Sequence, residues 1–140
     1  MSLINLSPQK IEIDQRWHWQ WGDWLSGGFE ELEERPWTPL VIDNKLCFVA
    51  FEKDKRLVVW GDNQGKDYDD VYDTINFKDT PLYIAREGQE FFLVLGEQQS
   101  QHFDFQISYE IEGDQIWLLK FSSYLRNKRD WVKYDPIWSN

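Results

Sequence analysis

The sequence is poor in the residues that carry most catalytic and metal chemistry. It has one cysteine, Cys47, and two histidines, His18 and His102. A single thiol excludes an intramolecular disulfide, so packing must hold the fold, and a reducing compartment is permitted. Cys47 lies inside the apolar run LCFVA and reads as a small buried hydrophobe, not a nucleophile. Each histidine falls on the polar side of a strand-like segment. Neither has a metal-ligand partner at useful spacing, although Asp104 follows His102 by two positions, so both read as exposed imidazoles. No glycine-rich phosphate loop and no nucleophile elbow occur.

Cations are scarce too: 15 Lys and Arg against 25 Asp and Glu, a formal charge of −10 and a pI near 4.6. That balance argues against nucleic acid or an anionic membrane as partner and for a basic one. Apolar runs are only a few residues long, against the roughly 20 that span a bilayer. MSLINLSPQK lacks the basic start and apolar core of a secretory signal. The expectation is a cytoplasmic, soluble, single-domain protein over residues 1–140, without cofactor or enzymatic activity.

Aromatic residues are abundant: 17% of the chain, with nine Trp. They recur in a pattern. Trp21-Gly22-Asp23 matches Trp60-Gly61-Asp62, and Phe29-Glu30-Glu31-Leu32 matches Tyr68-Asp69-Asp70-Val71, both at a shift of 39. A shift of 35 carries Gly61 to Gly96, Asp62 to Glu97, Tyr68 to Phe103, Asp69 to Asp104, and Phe48-Val49-Ala50 to Tyr83-Ile84-Ala85. Several matches at one shift in the thirties point to a repeat architecture. Hairpins lie between them: LCFVAFE, KDK, RLVVWG over 46–61, and PLYIARE, GQ, EFFLVLG over 81–96. HFDFQISYEI alternates as a half-buried strand would, and EGDQ turns into IWLLKF. RWHWQW places Trp17, Trp19 and Trp21 on one strand face.

The reading is therefore all-β: an antiparallel sheet or sandwich of three hairpin repeats, about 17–45, 46–80 and 81–121. A short C-terminal helix over 122–131 is expected, with a tail to 140, and one helical turn fits SGGFEELEERPW, stopped by Pro36. The aromatic-Gly pairs, the Gly-Lys loop and YDDV resemble the bacterial WG-type repeat and propeller-like blades over about residues 17–121. The third copy departs, with Leu95-Gly96 for Trp-Gly. The resemblance implies an all-β protein-binding module with no catalytic residues. Three units are too few for an ordinary closed propeller of about four to eight blades.

Two acidic clusters are the candidate partner-binding residues: Glu30, Glu31, Glu33 and Glu34, and Asp67, Asp69, Asp70 and Asp73. A charge run is ordinarily a solvated face. Here the clusters occupy equivalent repeat positions, so their fields would add and steer a basic partner. A calcium loop at DNQGKDYDD is disfavoured by Lys66 at a ligand position. The Trp17-Trp19-Trp21 stripe reads as core, with a ligand- or carbohydrate-binding or enzymatic β-protein that uses the stripe and His18 as the alternative. Arg126, Lys128, Arg129 and Lys133 beside Trp131 form a basic patch able to clamp an acidic surface. Together these favour a small acidic inhibitor of the immunity or antitoxin type, binding a basic toxin or nuclease. A structural homo-oligomer or homodimer stays open.

Overall fold

Leu46, Cys47, Phe48, Val49 and Ala50 are five consecutive residues with almost no solvent exposure. Successive side chains on a strand point to opposite faces. This strand must therefore be covered on both sides, and the fold follows from that demand. The computed structural model describes residues 7–34, 38–122 and 130–133. Among them there are fifteen strands and no helix.

The strands form four antiparallel sheets, each connected in chain order. The first contains β1 (Gln9–Ile13), β2 (Arg16–Trp21) and β3 (Trp24–Leu25). The second contains β6 (Lys45–Glu52), β7 (Lys55–Trp60) and β8 (Asn63–Tyr68). Its edge beside β6 is shared by the short β4 (Glu31–Leu32) and β5 (Leu40–Ile42). The third runs β9 (Asp70–Phe77), β10 (Thr80–Glu87), β11 (Glu90–Leu95) and β12 (Gln98–Gln99). The fourth runs β13 (Ile107–Glu112), β14 (Gln115–Ser122) and β15 (Asp130–Lys133).

The sheets stack face to face, with an apolar layer in each gap. Trp19, Trp21 and Phe29 meet Leu46, Phe48, Ala50, Leu57 and Val59 between the first and second sheets. Cys47, Val49 and Val58 meet Tyr83, Ala85, Phe92 and Val94 between the second and third. Leu82, Ile84 and Leu93 meet Ile107, Ile116 and Leu118 between the third and fourth. The odd and even residues of β6 thus serve different layers, as do those of β10. Each fully buried large side chain contributes about 1.5–3 kcal/mol relative to an exposed one.

Turn chemistry sets the register. Gly22, Gly61 and Gly96 each follow the last residue of a strand, Trp21, Trp60 and Leu95, and each has φ of 61°. Only the first central residue of these turns has positive φ, as in the type II′ turn that suits twisted hairpins and favours Gly there. Asp14-Gln15, Asp43-Asn44, Lys53-Asp54 and Lys78-Asp79 have positive φ at both positions, as type I′ turns require.

Several expectations are corrected here. Residues 9–13 form a strand that was not foreseen. The described part of the segment expected as a helical turn forms β4 and a β-bridge from Phe29 to Trp17, because its backbone pairs with β2 and β6 instead of with itself, while residues 35–37, Pro36 among them, lie outside the described residues. The alternating segment from His102 enters a strand only at Ile107, since Phe103 first bridges to Phe91 and the chain then crosses to the next sheet. The expected C-terminal helix begins and ends on residues that pair as strands, Ser122 with Asp130 and Trp131 with Phe121. Positions 123–129 between them lie outside the described residues, as do Arg126, Lys128 and Arg129. No helix of the described residues is long and apolar enough to cross a membrane.

Phe48 is fully buried in the layer between the first two sheets and meets Phe29 edge-on at 6.0 Å. Phe48→Ala should cost about 3–5 kcal/mol in urea unfolding. A loss below about 1 kcal/mol would contradict its burial in a layer that cannot collapse.

Candidate functional site

The first two crossings from one sheet to the next each carry an acidic residue that reaches a tight turn of the following sheet. Glu30 Oε2 accepts the Lys53 backbone N–H at 3.3 Å, and Asp69 Oδ2 accepts the Gly88 N–H at 2.7 Å. Lys53 and Gly88 are the first residues of the β6–β7 and β10–β11 turns. These carboxylates therefore clasp neighbouring sheets together. Cations complete the clasps: Arg16 pairs with Glu52, Lys55 with Asp69 and Arg56 with Asp70. Arg16 also donates to the Gly28 carbonyl, and Arg86 to the Gly88 carbonyl.

The result is one polar depression of about 510 Å³ at the end of the stack where these turns lie. Glu30 and Glu31 come from the first acidic segment, Asp69 and Asp70 from the second, with Asp54 from the β6–β7 turn. Phe51, Arg56 and Arg86 complete it, and the Arg56 guanidinium lies 4.9 Å from the Phe51 ring centre. Two segments far apart in sequence thus meet because consecutive sheets present the same crossing at the same end.

The remaining predicted residues are placed differently. Glu33 and Asp73 line a neighbouring hollow that shares Asp70 and Arg56. Glu34 lies 3.8 Å from Lys10. Asp67 is exposed on β8 and lines a separate hollow with Lys66. Asp73 occupies a bulge in β9 at φ of 54°, and its carbonyl accepts the Tyr109 hydroxyl.

Electrostatics agree with the clasp. The Gly88 N–H, and then the Lys55 ammonium, hold the Asp69 carboxyl below the ordinary aspartate value. The Asp69 hydrogen bond raises the Lys55 value, opposed by partial burial. Burial pushes the Cys47 thiol up to about 12, so it stays protonated and unreactive at neutral pH.

Sequence reasoning missed Asp54, Phe51 and both arginines of the depression. Their signal was present: all lie within two residues of a hairpin turn, and turn equivalence places them beside the acidic steps. Neither histidine is solitary. His18 Nδ1 lies 2.8 Å from the Ser26 carbonyl oxygen. His102 stacks on Phe92 with ring centres 3.9 Å apart, its Nδ1 at 2.8 Å from Glu90 and its Nε2 at 3.1 Å from the Gln99 side-chain oxygen. Trp19 and Trp21 are core residues, and Trp17 is partly buried beneath the Lys10 ammonium. The segment tested as a calcium loop is instead strand β8, with Asp62 accepting the Trp24 indole N–H at 3.1 Å. Among the described residues, no three carboxylate, imidazole or thiol groups converge as a metal site requires. No protein-family model, curated protein or solved structure matches this chain.

The clasp predicts a pH signature. Asp69, with its depressed folded value, stabilises fully above the ordinary aspartate pKa, and this is lost as pH falls through the folded value. Lys55, with its raised value, stabilises fully below the ordinary lysine pKa and loses its share as pH rises through the higher one. Asp69→Asn should therefore unfold at lower urea than wild type at neutral pH, and the gap should close in acid. A gap that persists unchanged below pH 3 would assign the loss to something other than the carboxylate's charge.

Proposed function

We propose that this protein is a non-enzymatic binding module for a basic protein partner. Within that class, it is a small acidic inhibitor of the immunity or antitoxin type that covers a cationic toxin or nuclease. The observation that carries the reading is the convergence of both acidic segments on one depression. Five carboxylates line it against two guanidiniums, so it stays negative after its internal pairs are counted. Arg56 fixes Asp70, and the Gly88 N–H and Lys55 fix Asp69, so these groups need no reordering on binding. Such preorganisation lowers the cost of association. Glu31 and Asp54 are exposed and available to a partner, and Phe51 supplies apolar area among the charges. A sugar site on the Trp17-Trp19-Trp21 stripe has less support, since Trp19 is 5% and Trp21 2% exposed.

The module is a tandem array of hairpin units phased half a sheet away from the sheets themselves. Units 17–45, 46–80 and 81–121 each begin on a middle strand of one sheet and end in the next, so three units touch four sheets. Equivalent backbone pairs support this: Trp17 with Phe29, Arg56 with Tyr68 and Phe91 with Phe103. So do equivalent serines. Ser26 Oγ accepts the Trp19 N–H at 2.9 Å, and Ser100 Oγ accepts the Leu93 N–H at 2.9 Å.

The two shifts differ for a local reason. Leu32 faces Ala50 as Val71 faces Ala85, and Leu40 faces Cys47 as Ile75 faces Leu82. Seven residues separate Leu32 from Leu40, but only three separate Val71 from Ile75. Those four extra residues turn 35 into 39. The WG-type likeness belongs with this reading: a blade-like stack that leaves turn-lined ends for partners.

The test uses Glu31→Gln with Asp54→Asn, which leaves every named ion pair in place. With the partner captured from the native host, the double variant should associate on the order of tenfold more slowly at low salt. The two rates should converge at high salt, because steering is screened. Equal rates at low salt would remove the depression from the interface.

A further inference from the structure

The opposite end of the stack holds a cleft between the second and third sheets, separate from the acidic depression. Its volume is about 280 Å³. Trp60, Asn63, Gln64, Gly65, Tyr83 and Glu97 line it. Two of these depart from the pattern elsewhere in the array, and both departures open the same space.

The first is Tyr83. A shift of 35 relates Phe48, Tyr83 and Leu118, each facing the preceding sheet and at most 2% exposed. Only Tyr83 carries a hydroxyl. That hydroxyl faces the cleft and makes no hydrogen bond within the described residues. The hydroxyl is thus presented to the cleft and not sealed in the core, and Phe48 at the equivalent position shows that packing alone does not call for it.

The second departure is Gly65. Its equivalents are Ser26 and Ser100, which fill their positions and bind backbone. A Cβ at Gly65 would lie 2.8 Å from the Val58 carbonyl oxygen and 3.6 Å from the Tyr83 hydroxyl. The close approach to the Val58 carbonyl requires glycine here, and the missing side chain also leaves the space beside the Tyr83 hydroxyl open.

We propose that this cleft binds a neutral hydroxylated ring, a pyranose unit of a simple glycoside. The apolar face of the sugar packs on Trp60, and its hydroxyls exchange hydrogen bonds with Tyr83, Glu97 and the amides of Asn63 and Gln64. The donor and acceptor inventory fits this class. Tyr83, Asn63 and Gln64 can each donate and accept, while Glu97 only accepts. A sugar hydroxyl both donates and accepts, so one ligand satisfies all four. A cationic side chain only donates and leaves the phenol proton unpaired. Lys45 already holds its ammonium 4.6 Å from the Trp60 ring centre, which disfavours a second cation there. Small-ligand sites of this kind combine apolar walls with a few placed polar groups.

The experiment follows the Trp60 indole N–H by NMR, assigned with Trp60→Phe, during titration with methyl glucoside, methyl galactoside and methyl mannoside. At least one should shift that signal at about 10 mM, the range of a weak single-sugar site. Tyr83→Phe should weaken that binding about two- to tenfold, the size of one neutral hydrogen bond. The same variant should unfold at an unchanged or higher temperature in the absence of sugar. No shift with any of the three glycosides would overturn the proposal, as would equal affinity in Tyr83→Phe. A lowered unfolding temperature in that variant would also overturn it, by giving the hydroxyl a structural partner. Shifts with N-acetyl-lysine amide but with no glycoside would reassign the cleft to a cation.

Discussion

A hairpin that is apolar on both faces cannot be stable alone, and the rest of this structure depends on that constraint. β6 and β7 bury Leu46, Phe48, Ala50, Leu57 and Val59 to one side and Cys47, Val49 and Val58 to the other. β10 and β11 repeat the arrangement with Leu82, Ile84 and Leu93 against Tyr83, Ala85, Phe92 and Val94. Neighbouring sheets on both sides are required, and the chain supplies them in sequence order. Among the described residues the apolar layers join adjacent sheets, and stability then approximates a sum over sheets and the gaps between them.

Stacking also explains why the candidate sites gather at the ends of the strands. The faces are consumed by packing, so the turns and crossings carry the exposed polar groups. One end gathers Glu30, Glu31, Asp54, Asp69 and Asp70 with the arginines that order them. The other carries the Gly22, Gly61 and Gly96 turns, with Trp60 and Tyr83 between two of them. The same acidic residues serve both fold and surface: Asp69 ties two sheets together while contributing charge to the depression.

Much of this was legible in the sequence. The continuous runs LCFVA and PLYIA, broken by KDK and GQ, set β6, β7, β10 and β11 nearly to the residue. RWHWQW set β2 and the inward direction of its tryptophans. Less legible were the short edge strands. β4 pairs only two residues with β6, and β12 pairs two with β11, too few for any periodicity to show. The crossing at residues 102–106 alternates by composition but leaves the sheet after one bridge, a tertiary choice that local pattern does not encode. The acidic clusters were legible as clusters. Their internal pairing was not, because Lys55, Arg56 and Arg86 reach them across strands and turns. Tyr83 and Gly65 stand out only against the proposed alignment with Phe48, Ser26 and Ser100, which single-residue patterns do not reveal.

The central claim is that the inner sheets are stabilised from two sides and the outer ones from one. Native-state amide hydrogen exchange tests it most directly, since it reads the opening free energy strand by strand. The account predicts that amides of β6, β7, β10 and β11 exchange slowest and together, near the global unfolding limit. Those of β1 to β3 should exchange faster, through openings that leave the inner sheets intact. Protection in β1 and β2 equal to that of β6 and β7, or early loss of β6 and β7 ahead of the first sheet, would contradict it.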